Sequence, residues 1–163
     1  MKRLFILRHA KSDWHTAYGG DFDRPLSSRG RRDAERMGEW LQRLGQTPDK
    51  VLSSAAVRTR RTVELLTQAG GWACPVEFRQ ELYDASVETV LRHLQEQNAS
   101  VSSLLLCGHQ PTVSELVERL TGGGSVRFPT AAIARLDLDI STWSQAVAGS
   151  SVLAWLVTPK ILR

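Results

Sequence analysis

Two kinds of hydrophobic pattern alternate along the chain. Short continuous apolar runs, bounded by turn residues, alternate with stretches in which apolar side chains recur every three or four positions. Lys2 to Leu7 is the first run and reads as a buried strand. Asp23 to Ser28 is loop chemistry, and Ser27 or Ser28 can cap the helix that follows. That helix carries Ala34, Met37, Trp40, Leu41 and Leu44 on one face and is stopped by Gly45, with Pro48 just beyond. Lys50 to Leu52 predicts a second strand, and Ser53-Ser54 leads into a helix through Val63 and Leu66 that ends at Gly70-Gly71. Val76 to Phe78 predicts a third strand, near a sheet edge because Pro75 lacks an N–H to give a ladder. Ser86 caps a helix with Val87, Val90, Leu91 and Leu94 inward. Ser103 to Cys107 is a strongly apolar strand broken by Gly108. Pro111 sits where a helix can begin, its buried face being Val113, Leu116, Val117 and Leu120 and its end Gly122-Gly123-Gly124. Ala132 to Leu138 and Val152 to Val157 predict two late strands, separated by the polar connection Ser141 to Ser151.

Strands alternating with amphipathic helices predict an α/β fold, with helices layered on both faces of a mainly parallel sheet. A hairpin of the last two strands would make that sheet mixed. The 163 residues suit one domain spanning 1–163, and no internal repeat or low-complexity tract divides them. Hydrophobic residues at 42% and charged residues at 23% are those of an ordinary globular chain, which excludes bulk disorder. Cys74 and Cys107 are too few for a disulfide scaffold and read as reduced thiols. The apolar run Leu4 to Leu7 is too short for a secretory signal or a membrane span, so the cytoplasm is the expected location, with no membrane partner. Trp40 reads as core, Trp143 and Trp155 as core or an exposed hairpin, and Trp14 as packing or a pocket rim.

The net charge of +4, from 21 Lys and Arg against 17 Asp and Glu, favours anionic partners without naming one. Three local patterns sharpen this. Arg8-His9 closes the first apolar strand, where charged groups are unusual unless something at the strand end uses them or the strand simply surfaces there. Arg58 falls in the first turn of a predicted helix, where free N–H groups and the dipole attract an anion and disfavour a cation. A phosphate held between them would remove that conflict. Gly108-His109 follows the fourth predicted strand and precedes a helix start, and a lone histidine there could also be satisfied by backbone. All three lie beyond carboxyl ends of predicted strands, where open α/β sheets bind ligands. Arg60 and Arg61 read as a solvated helix face, and with Arg29, Arg31 and Arg32 they lack the interleaved aromatic residues of a nucleic-acid surface.

Taken together and in order, these segments resemble the histidine phosphatase superfamily, phosphoglycerate mutase-like in fold. Arg8-His9-Ala10 is similar to its Arg-His-Gly signature, with Ala10 in place of glycine. Ser53 to Thr59 with Thr62 resembles its second arginine motif, and Gly108-His109 its second histidine. Arg24-Pro25-Leu26-Ser27-Ser28-Arg29-Gly30 and Thr130-Ala131-Ala132-Ile133-Ala134 resemble stretches of the small SixA-type phosphohistidine phosphatases. The resemblance implies attack by His9 on phosphorus, with Arg8, Arg58 and His109 holding the non-bridging oxygens. Hydrolysis of the resulting phosphohistidine would need neither metal nor other cofactor. It implies a substrate that is a phosphorylated protein bearing phosphohistidine, or a small phosphorylated molecule. The superfamily's general acid is expected at Glu81, with Asp13 and Asp21 as the other candidates. An imidazole leaving group makes less demand on such an acid than an alkoxide does. A phosphate-ester phosphatase or mutase and a non-catalytic phosphate-binding module are the rival expectations. The absence of a large lid insertion counts against a mutase, and the presence of both histidines counts against a binding module.

Overall fold

The computed structural model describes residues 1–163. Its six strands are β1 (Lys2–Arg8), β2 (Lys50–Ser54), β3 (Val76–Arg79), β4 (Ser103–Gly108), β5 (Ile133–Leu138) and β6 (Ser151–Val157). Its four helices are α1 (Ser28–Arg43), α2 (Val57–Gly70), α3 (Val87–Gln95) and α4 (Thr112–Thr121). The strands form one sheet in the order β3-β2-β4-β1-β5-β6. β1 to β4 run parallel, and β5 and β6 add an antiparallel pair beside β1. The mixed three-layer α/β/α sandwich anticipated from the alternating pattern is the observed fold. No helix is long and apolar enough to cross a membrane.

The period-two pleat divides the core. From β1, Phe5 and Leu7 face α1 and α2, where they pack with Ala34, Met37, Leu41, Val63 and Leu66. Leu4 and Ile6 face the other way, toward Val87, Val90 and Leu94 of α3 and Val113 and Leu116 of α4. Because β1 and β4 are covered on both faces, they read as continuous apolar runs. Ser27 accepts from the Gly30 N–H at 3.0 Å and Ser86 from the Thr89 N–H at 3.2 Å, so both serine caps form as the sequence indicates. Gly71 ends α2 with φ of +64°, and Gly122 ends α4 with φ of +85°.

Two local expectations change, and the readings of the tryptophans are resolved. Leu44 is not on the buried face of α1: it is the residue after the last turn and lies half exposed. β2 extends through Ser53 and Ser54, both fully buried, beyond the expected end at Leu52. Trp143 is fully buried, its Nε1–H donating to the Val101 carbonyl at 2.8 Å. Trp40 and Trp155 meet edge to face, 5.2 Å between centroids, at the margin of the α1–α2 layer.

Candidate active site

The sheet order brings the three sequence patterns together. β4 is the middle strand of β2-β4-β1, and its register pairs Gly108 with Arg8 and Cys107 with Ser53. His9 and His109 are therefore the next residues on two neighbouring parallel strands, and their ring centroids are 5.3 Å apart. The His9 N–H donates to the Gly108 carbonyl at 3.1 Å, which ties the two strand ends. β2 delivers Ser54 to the same end of the sheet, and Arg58 is the second residue of α2. Thr62 links that helix to the His9 loop: its hydroxyl accepts from the Ala10 N–H at 2.9 Å and donates to the Arg58 carbonyl at 2.6 Å. Ala10 is fully buried without a positive φ, so the glycine-to-alanine exchange costs the loop no backbone strain. Behind β1, Ala131 takes φ of +59°, and its N–H points at the carbonyls of Arg8 and His9, 3.1 Å from each. A left-handed alanine is strained. Here it supports the backbone on which His9 stands.

The hydrogen bonds fix the ring states. His9 Nδ1 is 2.8 Å from the Ala10 carbonyl, an acceptor only, so Nδ1 carries the proton and Nε2 keeps its lone pair. Burial pushes the His9 imidazole down to about 3, and the neighbouring His109, Arg58 and Arg8 act in the same direction. The ring is neutral at any physiological pH. His109 is lowered to about 4, by burial first and then by Arg58. Its Nε2 is 2.8 Å from Ser54 Oγ. The same Oγ accepts the Ala56 N–H at 3.3 Å, and Ser54 is fully buried. Were His109 Nε2 the donor, the serine hydroxyl hydrogen would have no partner, at a cost of roughly 1–3 kcal/mol. The hydroxyl therefore donates to Nε2, and His109 carries its proton on Nδ1.

Three buried side-chain nitrogens lack any partner at this end of the sheet: Arg8 Nε, Arg58 Nε and His109 Nδ1. Buried polar atoms are nearly always satisfied, and grouped exceptions mark the place of a ligand. All three are donors, and all stand beside the imidazole whose Nε2 is free. One tetrahedral oxyanion meets their requirements, and the first turn of α2 adds its dipole.

The carboxylates are arranged differently from the expectation. Glu81 lies in a short 3₁₀ turn after β3, faces solvent and is not among the residues lining the cavity beside His109. Asp13, half-buried, accepts from the N–H groups of His15 and Thr16 and from the Thr16 hydroxyl within its own loop. Asp21 is the carboxylate that reaches the site. It takes the Arg58 guanidinium at 3.0 Å, Arg24 at 2.9 Å and the Tyr83 hydroxyl at 2.7 Å. The Tyr83 hydrogen bond, then Arg24 and Arg58, hold it far below the usual carboxylate range. Arg24, unassigned from spacing alone, is buried between Asp21 and Ser12 with its guanidinium 3.6 Å from the Trp14 ring. Ser54, Thr62, Tyr83 and the pairing of Asp21 with Arg58 are thus parts of the site that residue spacing did not assign. The buried serines at the end of an apolar strand were the available signal, because such hydroxyls require partners.

The profile of the histidine phosphatase superfamily (branch 1) matches residues 4–90. The phosphohistidine phosphatase SixA of Escherichia coli is 30% identical over 164 residues, which cover 99% of this chain and 96% of that protein. An uncharacterized protein of Mycobacterium leprae is 34% identical over 166 residues, covering 94% of this chain and all of its own. Among solved structures, the protein histidine phosphatase SixA complexed with tungstate superposes with a TM-score of 0.86 at 29% identity, covering 99% of both chains. With two histidines and two arginines converging at the carboxyl end of a β2-β4-β1 core, and with these relatives over nearly its full length, the chain belongs to the histidine phosphatase superfamily.

Proposed function

We propose that the chain is a phosphohistidine phosphatase, acting on phosphohistidine in a protein through a phosphoryl intermediate on His9. The carrying observation is the trio of unpartnered donors, Arg8 Nε, Arg58 Nε and His109 Nδ1, around a neutral imidazole with a free Nε2. Two steps suffice. The Nε2 lone pair attacks phosphorus while the bond from phosphorus to the substrate's ring nitrogen breaks. A substrate ring protonated on its other nitrogen takes that electron pair and departs as neutral imidazole. Water then attacks phosphorus, the pair of the phosphorus–Nε2 bond returns to Nε2, and dihydrogen phosphate leaves with the water's protons. Arg8, Arg58 and His109 hold the non-bridging oxygens in both steps, where positioning and charge stabilisation supply most of the acceleration.

The choice of phosphohistidine over a phosphate ester rests on the carboxylates. An alkoxide leaving group needs a protonated acid beside it. Asp21 is held ionised by Tyr83, Arg24 and Arg58, Asp13 serves its own loop, and Glu81 stands outside the cavity. A phosphohistidine ring titrates near neutrality like other imidazoles and brings its own proton. The test is a substrate panel: a histidine-phosphorylated phosphotransfer domain, p-nitrophenyl phosphate, sugar phosphates and nucleotides. The expected result is a kcat/KM at least a hundredfold higher for the phosphohistidine protein than for any ester. An ester or nucleotide matching it would give the chain to small-molecule phosphate chemistry.

A further inference from the structure

A cavity of about 220 Å³ opens beside Arg58 and His109 and runs inward between α3 and α4. Its floor is apolar and buried: Leu82, Val90, Leu106, Val113 and Leu116. Its rim is polar and more exposed, with Asp21, Tyr83 and Asp84. It shares Arg58 and His109 with the phosphoryl position, whereas neither Arg8 nor His9 lines it. We infer that this cavity is the leaving-group subsite and that it takes one planar aromatic ring, the imidazole of phosphohistidine.

Three observations converge on that occupant, given the phosphohistidine reading on which the inference rests. The first is direction. In-line displacement sends the leaving group away from the nucleophile. The cavity adjoins Arg58 and His109, and His9 is not among its lining residues, as a leaving-group site requires. The second is size. A dry apolar cavity of roughly 150 Å³ is enough to hold benzene, whereas pockets for drug-sized ligands run to roughly 300–1,000 Å³. A volume of about 220 Å³ therefore matches one ring with its first substituent and falls short of the usual range for a larger ligand. The third is surface chemistry. The Tyr83 and His109 rings stand edge to face at 5.7 Å on the approach, an arrangement that can extend to a third ring. The carboxylates of Asp21 and Asp84 at the rim favour a ring that arrives protonated. A phosphorylated lysine or a simple phosphoramidate offers no ring and leaves the apolar floor unfilled.

The test compares two substrates that each carry a phosphorus–nitrogen bond: phosphoimidazole, which has the ring, and phosphoramidate, which does not. The wild-type protein is expected to favour phosphoimidazole by at least tenfold in kcat/KM, after correction for their uncatalysed rates. Ala85 lines the cavity and is only half buried, so Ala85→Leu adds bulk from its edge. That variant is expected to lose most of the preference, read as the ratio of kcat/KM for the two compounds. Val90→Phe is the second filling variant, with circular dichroism as the check on folding. Preference retained in folded variants, or no preference in the wild type, overturns the subsite. Failure to hydrolyse either compound overturns the phosphatase reading itself. A crystal structure with phenylphosphonate gives an independent result: the phenyl ring is expected against Leu82, Val90 and Val113, and a ring turned to solvent contradicts the inference.

Discussion

Replacing His9 by glutamine should change how stability depends on pH, by an amount that follows from burial of the ring. In the folded chain the imidazole titrates near 3, whereas an exposed histidine titrates at 6.5. The unfolded state therefore takes up a proton below pH 6.5 that the folded state refuses, and falling pH favours unfolding. The stability tied to a neutral His9 is fully present above pH 6.5 and is lost progressively as pH falls toward 3. At pH 5 the difference amounts to about 2 kcal/mol, with almost none at pH 7. Urea unfolding of the wild type and of His9→Gln at pH 7 and pH 5 measures it. Any constant effect of the substitution cancels when the pH-dependent losses are compared. The wild type should lose about 2 kcal/mol more than the variant between the two pH values. Equal losses would mean that His9 accepts a proton in the folded chain like an exposed histidine, and the neutral nucleophile would have to be abandoned.

Ser54→Ala should lower kcat/KM by about tenfold, the worth of one hydrogen bond at the site. It should also remove the Nδ1-protonated signature of His109 in ¹⁵N NMR spectra while leaving that of His9, and an unchanged His109 tautomer would refute the assignment. Gly38→Ala should destabilise the fold by roughly 1–3 kcal/mol in thermal melts, because a Cβ there overlaps the Leu66 carbonyl where α1 crosses α2. A melting temperature unchanged by that substitution would show that the two helices can separate without cost.

Much of this architecture could be read from hydrophobic pattern. β1 and β4 are buried on both faces and appear as continuous apolar runs, and α1, α3 and α4 each show one apolar face. Arg8-His9, Arg58 and His109 could be located because each follows or begins such an element. Their convergence depends on β4 lying between β2 and β1, which local pattern does not encode and the superfamily resemblance implied. The partners of these residues were harder to read. Asp21 meets Arg58 across 37 positions and Tyr83 across 62, contacts that only the folded chain creates. Ser54 looked like a loop residue because hydroxyls seldom continue an apolar strand, yet its burial is what directs the His109 proton. Leu44 has the helical spacing of a core residue, but α1 ends before it and the side chain is left half exposed.

The Nε2 of His9 as the atom that receives the phosphoryl group is best examined by rapid quench. The protein is mixed with ³²P-labelled phosphohistidine substrate, denatured in alkali within milliseconds and digested. The expected product is one labelled peptide containing residue 9, with ³¹P NMR placing phosphorus on Nε2. Labelling on Nδ1, on another residue, or absence of any phosphoenzyme during steady turnover would contradict the account.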